Sequence, residues 1–190
     1  LLVMATVAAL RVGSGFPLPW LALALIALGL FLVLLKIGRP WRAAYVLRQP
    51  QRSWMTREAW VAFALFPVGA LAAWLEQPLL MIAAAVLALL FLFSQAMILR
   101  EAKGIPAWRA PLIVPLVLAT GMAEGAGLLL AGTALLSPLV PLQQEAALVV
   151  IILAALRSWC WSSYMTGLRV AGAPTRALEV LDAFRPWFFG

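Results

Sequence analysis

Between Leu35 and Trp60 the chain gathers its densest set of side chains able to do chemistry: Lys36, Arg39, Trp41, Tyr45, Trp54, Arg57 and Glu58. Cations such as Lys36 and Arg39 can polarise a carbonyl oxygen and favour negative charge on it. The rings of Trp41, Tyr45, Trp54 and Trp60 can wall a flat apolar group. A carboxylate such as Glu58, near the surface of a membrane, can carry protons. Each residue also has an ordinary reading. Lys and Arg at a helix end snorkel to lipid headgroups, Trp and Tyr form the interfacial belt, and an Arg-Glu pair anchors a helix start. Gly38 suits helix termination and Pro40 prevents continuation.

The elements that position these groups follow from composition. Of the 190 residues, 65% are hydrophobic and 11% charged, whereas a soluble domain is typically about half apolar. Runs of roughly 20 apolar residues are the length of a transmembrane helix. Pro17 to Leu35, Ala59 to Leu75 and Pro78 to Leu99 carry no charge; Ala110 to Leu142 is interrupted only by Glu124, and Ala146 to Leu168 only by Arg157. The reading is an all-α integral membrane protein, a single helical bundle over residues 1–190. Spans are expected near 18–37, 58–75, 79–99, 111–131 and 146–169, with a partial one at 1–10 ending before Arg11 and a Gly13-Ser14-Gly15 turn. We expect at least five full spans, in a piece of an eight-helix chain truncated at both ends.

Chain-wide counts remove much chemistry. There is no histidine and one cysteine, which excludes a His-ligated haem, a Cys-ligated iron–sulfur cluster and an internal disulfide. The expectation is no metal in this chain. The net charge of +7 could point to nucleic acid, but in a membrane chain its first meaning is topology, and no nucleic-acid partner is expected. Lys36, Arg39, Arg42, Arg48, Arg52 and Arg57 crowd one loop, and Arg100, Lys103 and Arg109 another on the same face. Arg169, Arg176 and Arg185 return to that side, while Glu76 to Pro78 and Gly132 to Glu145 lie opposite without Lys or Arg. By the positive-inside rule the basic loops are expected on the cytoplasmic side of the membrane.

Three segments carry a family resemblance. Lys36-Ile37-Gly38-Arg39-Pro40-Trp41-Arg42-Ala43 closes a span, Ser53-Trp54-Met55-Thr56-Arg57-Glu58 opens the next, and Ile105-Pro106-Ala107-Trp108-Arg109-Ala110-Pro111 follows a helix ending in Met97-Ile98-Leu99-Arg100. Over roughly residues 18 to 170 the chain resembles the membrane anchor subunits of the dimethyl sulfoxide reductase type, within the polysulfide reductase-like group. Lys36, where that anchor carries His, together with the Trp-rich loop, looks closer to the anchors of phenylacetyl-CoA acceptor oxidoreductases. The resemblance implies an anchor for an iron–sulfur subunit and a molybdopterin catalytic subunit, exchanging electrons with menaquinone or ubiquinone without haem. A quinone site needs a flat apolar slot, donors to two carbonyl oxygens and a proton carrier near an external electron donor. Lys36, Arg39, Trp41, Tyr45, Trp54, Arg57 and Glu58 are the candidates for it.

Two charges lie deeper. Glu124 is 13 residues from Pro111 and Arg157 is 11 from Leu168, so in helices starting from one face they reach similar depth. Intramembrane ionisable groups are costly and usually functional. The alternatives are a buried ion pair and a proton path. Gly121 and Gly125 form a small-xxx-small pattern beside Glu124, which lets another helix approach closely. Cys160, between Trp159 and Trp161, reads as packing. From another functional class, a transporter or ion-conducting subunit would use Glu124 and Arg157 along its path, though no inverted repeat is evident. A ligand-free scaffold is the third reading.

Overall fold

The computed structural model describes residues 18–36, 51, 53–102, 104–135 and 143–183. The described residues form helices and no strand: α1 (Leu18–Lys36), α2 (Trp54–Leu75), α3 (Pro78–Glu101), a 3-10 turn at Pro106–Arg109, α4 (Ile113–Leu135), α5 (Gln143–Val170) and α6 (Thr175–Ala183). Helices α1 to α5 are each long and apolar enough to cross a membrane. The expected partial span at 1–10 lies outside the described residues.

Helix α1 falls within its expected span, while α2 to α5 are longer than theirs because hydropathy finds the lipid-compatible stretch rather than the hydrogen-bonded one. Helix α2 starts at Trp54, four residues before the expected 58, since Arg57 and Glu58 interrupt apolarity without interrupting the helix. Helix α3 likewise runs on through Arg100 and Glu101. The amphipathic α6 is an addition to the expected elements; its nine residues are too few to span.

Helices α2 and α3 form a tight antiparallel hairpin. Glu76 takes the left-handed conformation, φ 54°, and its N–H bonds the Ala72 carbonyl at 3.0 Å, closing α2. Pro78 then occupies the first turn of α3, where its missing N–H costs nothing. At the far end of α5, Gly172 at φ 69° turns the chain into α6, a backbone angle glycine adopts without strain.

Helices α2 and α3 pack along each other, α4 and α5 do the same, and α3 joins the two pairs. Ala22 and Leu23 of α1, Ala62 and Leu65 of α2 and Phe91 of α3 make one core cluster. A second joins Ile113, Leu116 and Ala119 of α4 to Cys160, Trp161, Tyr164, Met165 and Leu168 of α5. Cys160 is thus packed inside, as expected. Between lipid-like surroundings the drive for such contacts is close fit rather than escape from water. Gly69 and Gly121 supply that fit: a Cβ on either would stand 2.9 Å from a methyl of Leu23 or Leu92 respectively.

Candidate functional site

The alternation of helix directions brings the end of α1, the start of α2, the end of α3, the 3-10 turn, the start of α4 and the end of α5 to one end of the bundle. Lys36, Arg57, Arg100, Arg109 and Arg169 therefore share it. Its centre is the open mouth of the α2–α3 hairpin.

There Trp54, half-buried, is held on three sides. Its indole Nε1 donates to Glu101 Oε1 at 2.8 Å. The Arg57 guanidinium lies 4.2 Å from its ring centroid, a cation–π arrangement. Phe93 meets it edge-on at 5.7 Å with the planes at 82°, the geometry that ring quadrupoles favour. Arg57 also donates from Nη2 to the Gln51 carbonyl at 3.1 Å. One turn further along α2, Glu58 accepts from Gln95 Nε2 at 3.1 Å. A fixed ring and a partnered carboxylate thus line one side of the mouth.

Three of the seven hairpin candidates, Trp54, Arg57 and Glu58, are placed on this end by α2 itself. Lys36 ends α1 at the same end of the bundle, and the six residues Phe31 to Lys36 are all exposed. Arg39, Trp41 and Tyr45 lie outside the described residues. Trp60 does not join the group; it turns about 120° around α2 from Trp54 and meets Phe63 edge-on at 6.0 Å.

Phe93, Gln95 and Glu101 are the partners that sequence reasoning missed. A search for charged interruptions passes over the uncharged Gln95, and Glu101 reads as loop. The available signal is a lone amide in the apolar run Phe91-Leu92-Phe93-Ser94-Gln95-Ala96.

The third resemblance segment is fixed beside the mouth. Tyr164 O–H donates to the Ala107 carbonyl at 2.9 Å, tying the 3-10 turn to α5, while Trp108 and Arg109 remain exposed. Arg169 Nη2 grips both carboxylate oxygens of Asp182 at 3.1 and 2.9 Å. With Leu178 and Leu181 packed on the α4–α5 cluster, this holds α6 against the same end.

Glu124 and Arg157 lie on packed neighbours. The core pairs the start of α4 with the end of α5, so one more turn up α4 from Ala119 reaches the level of Arg157. Glu124 is exposed on α4, and Arg157 is half-buried on α5.

Compared with protein-family models, curated proteins and solved structures, the chain finds no match in any of the three.

Proposed function

We propose that the chain is a haem-free membrane anchor subunit of a molybdopterin and iron–sulfur oxidoreductase, exchanging electrons between the iron–sulfur subunit and a membrane quinone. The supporting observation is the meeting, in one mouth, of Ser53–Glu58 with the end of the helix that precedes Ile105–Pro111, through Trp54 and Glu101. The second segment carrying the resemblance thereby touches the end of the helix that leads into the third. The residues present suit a quinone: an immobilised indole for the ring, Lys36 and Arg57 as cations at the same end, and Glu58 for the proton. The quinone supplies the two-electron carrier; this chain supplies orientation, charge and proton movement. Arg39, Trp41 and Tyr45 belong to the proposal by their place in the sequence. Glu124 and Arg157 serve structure or proton passage at mid-depth.

In this reading the chain is an integral protein of the bacterial inner membrane, part of an eight-helix anchor, and its basic end faces the cytoplasm. A cysteine placed at Gln51 is expected to react with an impermeant maleimide only in inverted vesicles, and one at Gln143 only in intact cells. The reverse pattern would overturn the orientation.

Deleting the chain is expected to release the dye-linked activity of the catalytic subunit into the soluble fraction and to abolish its quinone-linked activity. Quinone-linked activity that stays on membranes without the chain would contradict an anchoring role.

A further inference from the structure

The hydrogen bond between Gln95 and Glu58 joins two polar side chains of different helices within stretches apolar enough to span a membrane. Such groups are retained at a cost where lipid is the alternative surrounding. Among the described residues of α1, α2 and α3, four further charged groups stand at this end. Arg57, on the same helix, lies over Trp54 and donates to Gln51. On α3, Glu101 accepts from Trp54 and Arg100 is exposed; on α1, Lys36 is exposed. From the helix packed along α2, Gln95 is the side chain that reaches the Glu58 carboxylate.

We infer that Gln95 is a positioning residue for Glu58, holding its carboxylate ready to take a proton and remaining its partner once the proton has arrived. The inference rests on the proposed role of Glu58 as proton carrier. An amide is suited to both states, since its N–H donates to a carboxylate and its carbonyl accepts the O–H of the acid. A donor to the charged form favours that form. Without Gln95, Glu58 should keep its proton to higher pH. If turnover needs Glu58 as proton acceptor, the acid limb of the pH profile moves up. If it needs Glu58 as donor, the alkaline limb moves up. The direction is the same whichever way electrons run.

The test has two readouts on one set of variants. Infrared titration of the carboxylic C=O stretch is made on the purified chain in lipid nanodiscs, with the Glu58 band assigned by its loss in Glu58→Gln. The pH profile of turnover with decylubiquinone and with menadione is measured on the whole complex, with a soluble dye as control. Gln95→Leu keeps the volume and is expected to raise the Glu58 midpoint, with the turnover limb following. Gln95→Glu, which sets a like charge beside Glu58, should raise it further. An infrared midpoint unmoved in both variants would overturn the inference. A raised midpoint with quinone turnover indifferent to both Gln95 and Glu58 would instead overturn the reading of Glu58 as the quinone's proton carrier, leaving the hydrogen bond's effect on protonation intact.

Discussion

Glu58→Gln is expected to lower turnover with quinone analogues by about 100-fold, within the range for losing a positioned proton carrier. The amide preserves shape, so complex assembly and dye-linked activity should be unaffected. Lys36→Ala should lower the same turnover by about tenfold or more, the worth of a hydrogen bond from a charged donor. The hairpin mouth is preferred over the deeper charges because electron transfer needs the ring near the partner's terminal cluster. Glu124 stands about 11 residues into α4 from Ile113, which at about 1.5 Å per residue is some 16 Å further from the basic end. Stopped-flow assay of both variants, with a dye as parallel acceptor, decides the matter. Unchanged quinone turnover in both moves the site elsewhere, and loss of assembly instead shows that these residues only hold the partner.

The second large effect is on stability. Leu65 is 0% exposed and packs among Ala22, Leu23, Ala62 and Phe91. Truncating a buried leucine in a water-soluble core costs about 2–5 kcal/mol through lost transfer and a residual cavity. In a bilayer the unfolded helices rest in lipid as apolar as the core, so the transfer part shrinks and lost dispersion remains. Leu65→Ala is therefore expected near the lower figure, about 2 kcal/mol. Leu71, on the same helix but 49% exposed, is the control, and Leu71→Ala should change stability by less than about 0.5 kcal/mol. Reversible unfolding in mixed micelles reads both, and equal effects would contradict the packing of α1 and α3 onto α2.

The five long helices are legible in the sequence because a span must satisfy its backbone internally and carries few charges, leaving long apolar runs interrupted only by Glu124 and Arg157. Their ends are less so: apolarity alone begins the second span at 58, although Ser53 to Glu58 reads as its opening, and Arg100 and Glu101 are helical yet polar enough to read as loop. The candidate site is half legible for the same reason. Trp54, Arg57 and Glu58 announce themselves by type and spacing within a few residues. Their partners come from α3, some 40 residues away, and pairing Trp54 with Glu101 or Glu58 with Gln95 requires the register of the α2–α3 hairpin. That register depends on the two-residue turn at Glu76 and Gln77, where Glu76 adopts a left-handed conformation uncommon outside glycine. The amphipathic α6 escapes because hydropathy averages its two faces away, and only the packing of Leu178 and Leu181 and the Arg169–Asp182 bridge define it.

The central claim, that this chain anchors a haem-free quinone-linked oxidoreductase, is tested most directly by metal analysis of the complex purified from native membranes through a tag on this chain. Iron, acid-labile sulfide and molybdenum should elute with the chain in constant proportion, and no Soret band should follow it. A chain that elutes with none of them, or with a haem axially bound by its own residues, would contradict the account.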